Sequence, residues 1–428
     1  MATNSDSNHG GEYHPSLKIL YIHQHFRPPG MAGGGRSFEL ARRLVARGHD
    51  VTILTGTPTG TVRNELPRSV EGIRVRWIHS RYHSSMGFYR RLIAFADFSV
   101  RSCAFVVRHK HHVVFATSTP LTVAIPASAA HFLRRTPVVF EVRDAWPSVP
   151  ISLGLLRNPF LVWLSRRLER HAYSISDSIV ALSPGMATSV TSAGTDDKSV
   201  HIIPNLALGP TSPENAGLVG PWVDIYPELG SKRVALYQGS IGFIHGVSYL
   251  NAVAEHLDPR RHAIVVIGGG NRLDSFLDDA EKRGVLDRTI FHLPEIPRSL
   301  SPVGLAACEV ALSTVIEDPV LEDNSANKFF EALGSGCPIA INYGGWQADL
   351  LETFRAGIRL NRDPKIGARQ LASLLEDDAL LGQMRVNSKT LGASVADPEA
   401  SATKVESLLV SAALRNSHRD LTPVARSS

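Results

Sequence analysis

The sequence predicts an α/β protein in which two doubly wound units, each a parallel sheet covered by helices on both faces, are joined by one linker and face a common cleft. Three observations predict it. Short β-branched runs alternate with helical stretches along most of the chain. The alternation breaks once, at residues 208–231, where Pro, Gly and Ser accumulate, and then begins again. Glycine-rich turns follow several of the strand-like runs, where a parallel sheet offers its carboxyl ends to a ligand.

The first unit is expected over residues 16–207. Residues 18–23 read as a buried strand, 36–46 as an amphipathic helix, and 51–55 as a second strand after the turn Arg47-Gly48-His49-Asp50. Between strand and helix lie Pro28-Pro29-Gly30 and Gly33-Gly34-Gly35. Missing side chains there let backbone N–H groups approach a ligand, and Arg36 opens the helix. Further strand-like runs follow at 73–77, 113–116, 138–142, 178–181 and 200–203. The run at 138–142 leads into Glu141-Val142-Arg143-Asp144-Ala145-Trp146-Pro147, which places charged side chains where α/β enzymes keep their chemistry. A structural Arg–Asp pair is the competing reading.

Residues 89–110 interleave Arg90, Arg91, Arg101, Arg108 and Lys110 with apolar and aromatic side chains. Two uses fit that pattern: a core-facing helix with a basic outer face, or a helix lying in a membrane interface.

In the second unit, expected over 232–398, strands are predicted at 234–237, 263–267, 289–293, 310–313 and 338–342. The loop holding Gly239 and Gly242 follows the first, and Gly268-Gly269-Gly270-Asn271-Arg272 follows the second. The stretch 323–340, from Asp323-Asn324-Ser325 onward, reads as a loop of short polar residues that favour helix caps, one or two turns of helix, and a strand. A helix N-terminus beside the carboxyl ends of parallel strands suits a phosphate, and Lys328 adds a full charge. Glu331, four residues after Asn327, stands one turn into the helix, where its carboxylate can take two sugar hydroxyls. A helix over 399–416 and tails at 1–15 and 417–428 complete the chain.

Composition excludes several classes. With 43% hydrophobic residues the chain is not a disordered one, and 428 residues are enough for two cores. A formal net charge of +5 is too small an excess to argue a nucleic-acid partner. Cys103, Cys308 and Cys337 are far apart and suggest neither a disulfide framework nor a zinc site, and a reducing, cytoplasmic setting follows as the expectation. No apolar run reaches the ~20 residues of a spanning helix. No His/Asp grouping has metal-ligand spacing, so no metal is expected.

The spacing Asp323-x7-Glu331 followed by Ala-Leu-Gly-Ser-Gly-Cys-Pro-Ile resembles the Glu-x7-Glu signature of family-4 retaining glycosyltransferases of GT-B fold. The Arg-Asp-x-Trp-Pro segment resembles a bacterial surface-polysaccharide branch of that family. The resemblance, over about residues 16–416, implies two Rossmann-like domains and transfer of a sugar from a nucleotide diphosphate to an acceptor hydroxyl. It implies that Glu331 holds the ribose and that Asp323, with Arg143 and Asp144, lies at the donor sugar. It also places Gly34, Gly35, Arg36, Gly239, Gly242, Gly269, Arg272, Asn327 and Lys328 around the nucleotide sugar. No cofactor beyond the donor is implied. The implied partners are the nucleotide sugar and a lipid-linked or saccharide acceptor, with contact at the inner face of the cell membrane.

Three departures stand out: Asp for Glu at 323, Arg143 where many relatives carry His, and only His245 where many carry an Arg/Lys pair. An epimerase or hydrolase of the same fold, or a silent nucleotide-sugar-binding subunit, is the alternative.

Overall fold

In the computed structural model, residues 16–31, 35–58, 66–79, 86–118, 120–195, 200–209 and 222–421 are described. The expected tail at 1–15, the segment 422–428, Gly34 and residues 210–221 of the linker lie outside them.

The first half runs β1 (Lys18–Ile22), α1 (Arg36–Ala46), β2 (Asp50–Gly56), β3 (Ser69–Val70), β4 (Ile73–Ile78), α2 (Phe88–Arg108), β5 (Val113–Thr117), α3 (Ala124–Arg134), β6 (Val138–Val142), α4 (Ser148–Ser152), α5 (Pro159–Ser174), β7 (Ser178–Ala181), α6 (Pro184–Ser192) and β8 (Val200–Ile202). Its eight strands take the order β3-β4-β2-β1-β5-β6-β7-β8, parallel throughout except that β3 runs against β4.

The second half runs β9 (Arg233–Gln238), α7 (Ser248–Ala254), β10 (His262–Ile267), α8 (Leu273–Lys282), β11 (Ile290–Leu293), α9 (Ser301–Ala307), β12 (Val310–Ser313), α10 (Asn327–Gly334), β13 (Ile339–Ile341), α11 (Trp346–Phe354), β14 (Gly357–Arg359), α12 (Pro364–Leu375) and α13 (Asp378–Ala396), before α14 (Pro398–Leu421). Six parallel strands take the order β11-β10-β9-β12-β13-β14. In each sheet the order reverses beside the first strand, at β1/β5 and at β9/β12. Those are the points where a doubly wound sheet opens a crevice for a ligand.

Burial on both faces explains why the strands read as unbroken apolar runs. Along β1, Ile19 and Tyr21 pack toward α1 and α14, while Leu20 and Ile22 pack toward α2 and α3. Helix starts follow local chemistry. The Asn158 side chain accepts from the N–H groups of Phe160 and Leu161 at 3.0 and 3.2 Å, and Pro159 fills the first position of α5.

Two segments cross between the halves. Ala207 N–H donates to the Ala396 carbonyl at 2.9 Å, and α14 then crosses back to the first half. Val405 and Leu409 on α14 are fully buried in the first half's core, contributing on the order of 3–6 kcal/mol of transfer free energy. Glu399 and Glu406 of α14 also pair with Arg43 at 2.6 Å and Arg47 at 2.7 Å. The expected helix over 399–416 thus runs on to Leu421. Part of the expected linker packs too: Trp222 and Leu229 are buried in the second half's core.

Candidate functional site

A cavity of about 420 Å3 lies between the halves, over the carboxyl ends of both sheets. Arg143 and Asp144, directly after β6, form its first-half wall. The other wall comes from the turns after β9, β10, β11 and β12 and from the start of α10.

No side chain caps α10, whose preceding residue is Ala326. The expectation that a polar residue of 323–325 caps this helix is therefore corrected. Asn327 and Lys328, both at the cavity, open the helix. Lys328 lays its stem against Gly239 and holds its ammonium 4.8 Å from the centre of the Tyr237 ring. Burial lowers its pKa to about 8, against an upward pull from Glu331. Burial likewise raises Glu331 above the ordinary carboxylate range, while Arg298 and Lys328 draw it down. Among the described residues the Glu331 carboxylate accepts no hydrogen bond, so both oxygens are open to a ligand.

Gly268, with φ +150°, brings its turn so close to β9 that a Cβ would stand 2.0 Å from the Gly239 carbonyl oxygen. His245 lies in the next loop, its Nδ1 accepting from Gly242 N–H at 3.2 Å. Burial, and then Lys328, lower its pKa to about 3, so His245 is a neutral donor at neutral pH and adds no charge to the site.

Among the described residues three buried polar atoms in the cavity wall lack protein partners: Gln347 Nε2, Gln238 Oε1 and Ser301 Oγ. Gln347 is locked by Tyr343, whose hydroxyl donates to its Oε1 at 2.9 Å, so that the amide nitrogen has a fixed direction. An unpartnered buried polar group costs about 1–3 kcal/mol, which a polar ligand recovers.

Arg298 enters from the segment after β11 and crosses the cleft to Gly35 at the start of α1. A Cβ on Gly35 would stand 1.0 Å from its Nη1. Sequence reasoning misses both Arg298 and Gln347. The signal for Arg298 was available, since Pro294-Glu295-Ile296-Pro297-Arg298 places charges directly after a buried strand, as 141–147 does.

Several expected site residues stand elsewhere. Arg36 is committed to the fold: its Nε donates to Glu141 at 2.8 Å, and its other nitrogens donate to the carbonyls of Ile203 and Pro204. Glu141 is fully buried and also accepts from Thr117 at 2.8 Å. Burial alone would raise its pKa, but Arg36 and Arg143 more than offset this. Arg36 therefore has no free donor face for a diphosphate, a correction to its expected place at the nucleotide. Arg272 is exposed and packs over the Phe243 ring at 5.4 Å, outside the cavity. Gly242 and Gly269 stand behind the cavity wall, Gly269 facing Glu295.

Asp323 opens on an adjoining cavity of about 660 Å3, with Arg166, Glu169 and Arg170. Its carboxylate lies against Gly185, where a Cβ would stand 2.0 Å from Oδ1, and its carbonyl accepts from Ser183 of the first half. Burial, and then Glu322, raise its pKa. Arg143 approaches His23 at 3.5 Å, and burial followed by Arg143 keeps His23 neutral. Among the described residues there is no grouping of side chains able to hold a metal ion.

Residues 33–206 match the model of the glycosyl transferase 4-like domain. The chain is 27% identical over 186 residues to the probable glycosyltransferase WbjE of Pseudomonas aeruginosa, a match covering 42% of this chain and 44% of that protein. Among solved structures it is similar to Anabaena HepE in complex with UDP and glucose, at 16% identity and TM-score 0.69, covering 92% of this chain and all of that one. It is likewise similar to WaaG, a glycosyltransferase involved in lipopolysaccharide biosynthesis, at 15% identity and TM-score 0.64, covering 91% and 99% of the two chains. At such identities the likeness establishes the fold.

Proposed function

We propose, from the premise that this chain is a family-4 glycosyltransferase of GT-B fold, that it moves a sugar with retention from a nucleoside diphosphate to an acceptor hydroxyl in polysaccharide or glycolipid assembly. One observation carries the reading. Lys328, Arg298 and the open Glu331 carboxylate converge in a cavity at the switch points of two facing sheets, beside buried polar atoms that lack partners.

The difficult step is departure of a diphosphate from an anomeric carbon that gains oxocarbenium character. Preorganised positive charge at the leaving group is therefore the main source of rate. Lys328 and Arg298 supply it, with the amides at the start of α10, and Glu331 takes the ribose hydroxyls. The departing phosphate oxygen accepts the acceptor proton, so no strong base is required. Asp144 and Asp323 act on the sugar side, and Arg143 orients the first-half wall. The acceptor enters from the first half, and α2 brings the enzyme to the inner face of an anionic membrane when that acceptor is lipid-linked.

A thermal-shift panel of nucleoside diphosphates tests the donor site, because a ligand at a hundred times its Kd stabilises by about 2.7 kcal/mol. At least one diphosphate should raise Tm, and the matching sugar nucleotide should yield a glycoside of retained configuration when acceptor is present. No stabilisation by any diphosphate would remove the reading, and sugar release independent of acceptor would make the protein a hydrolase.

A further inference from the structure

The first half carries a second cavity, at the opposite ends of its strands from the cleft. It is a groove of about 950 Å3 between the edge of the sheet and the end of α2. Among the described residues six cationic side chains line it, Lys18, Arg68, Arg74, Arg76, Arg108 and Lys110, and one acid, Asp50. Asp50 is already paired with Arg74, whose Nε also donates to Thr52 at 3.3 Å. Among the described residues the other five cations make no side-chain ion pair or hydrogen bond; Arg76 only approaches the Phe105 ring, at 5.9 Å.

The alternation of β4 explains how the floor is built. Ile73, Val75 and Trp77 turn into the core, so Arg74 and Arg76 must stand together on the other face, where a doubly wound sheet ordinarily receives an apolar helix. Here that face is left open. His109 stacks on Phe105 at 4.1 Å between ring centres, giving the α2 side a rigid wall. His111, at the same wall, has its pKa lowered to about 4, chiefly by burial, and adds no charge at neutral pH.

We infer that this groove binds a small soluble ligand bearing two or more phosphate groups, at a site separate from the donor cleft. Unpaired cations held this close repel one another, and an anion relieves all of them at once. Four of the six are arginines, whose planar forks match phosphate oxygens in pairs. The concave shape between the sheet and the end of α2 suits a compact anion more than a flat bilayer. Its volume lies within the range of small-molecule sites.

Isothermal titration with tripolyphosphate tests this in a full-length Arg298→Ala/Lys328→Ala background, where the cleft has lost its phosphate cations. Binding should persist there and weaken steeply between 50 and 300 mM salt. Arg76→Ala/Lys110→Ala should weaken it at least tenfold, as should Arg68→Ala/Arg108→Ala, a pair of exposed residues whose loss spares the core. Asp50→Asn should tighten it several-fold by freeing Arg74, a change of opposite sign that no general destabilisation produces. Absence of binding in the background protein, or equal affinity across these variants, overturns the site. So does capture of an Arg90→Glu/Arg101→Glu protein by phosphatidylglycerol vesicles that Arg68→Ala/Arg108→Ala abolishes and tripolyphosphate fails to displace, which would make the groove a lipid contact.

Discussion

At the scale of single residues, the site depends on two groups whose protonation is set by burial. Lys328 has a pKa lowered to about 8, so the free protein loses this charge as pH rises through 8. A bound diphosphate favours the charged ammonium and raises that pKa again. With the terminal phosphate, of pKa about 6, already ionised, diphosphate affinity should be nearly level from about pH 7 to 7.5 and fall above that, approaching tenfold per pH unit. A flat affinity from pH 7 to 9.5 would mean that Lys328 does not touch the phosphates. Glu331→Ala should weaken binding of the nucleoside diphosphate alone by about 1.5–3 kcal/mol, the value of hydrogen bonds to a charged group. Unchanged affinity would take Glu331 off the ribose. Asp323 calls for the opposite split. Asp323 lines the adjoining cavity and not the one that holds Glu331, so Asp323→Asn should lower kcat and leave diphosphate affinity near that of the parent. A variant that turns over like the parent would leave Asp323 as a packing residue against Gly185.

At the scale of elements, α2 carries both halves of its sequence pattern at once. Phe98 and Val106 pack into the core, while Ile93 at 70% and Val100 at 63% exposure stand outward beside Arg90 and Arg101. An outward face of that kind suits an anionic bilayer, so cosedimentation with phosphatidylglycerol vesicles should fall with salt and with Arg90→Glu/Arg101→Glu. Equal sedimentation of parent and variant would leave α2 as a core helix with a basic coat. Most elements were legible for the same reason: a strand buried on both faces must be an apolar run, and a helix that packs one side must show its period. β3 and β14 escape this logic because they span two and three residues at sheet edges and never build a run. Site residues divide along similar lines. Lys328 and Glu331 belong to one local motif, whereas the partner of Arg36 lies 105 residues away at Glu141, so sequence shows its charge and hides that the charge is spent. Gln347 is equally silent, since its role comes from Tyr343 fixing its amide.

At the scale of the whole molecule, the cavity takes its walls from both halves, and Arg298 of the second reaches Gly35 of the first. Its guanidinium rests on Gly35, whose φ of −102° any residue adopts, so the glycine is required by space and not by backbone conformation. Gly35→Ala leaves α1 intact and drives the guanidinium away, because its Cβ would occupy the place of Nη1. Arg298→Ala should cost about 1.5–3 kcal/mol in kcat/KM for the donor, as expected for a lost charged contact to the diphosphate. Gly35→Ala should cost part of the same amount, since a flexible arginine retains other routes to the phosphate. The decisive quantity is the double-mutant cycle. If Gly35 acts through Arg298, adding Gly35→Ala to Arg298→Ala should cost nothing further, and the coupling should equal the whole effect of the single glycine change. Strict additivity would separate the two residues and leave closure to the packing of α14 on the first half and the backbone bond from Ala207 to Ala396 at the end of α13.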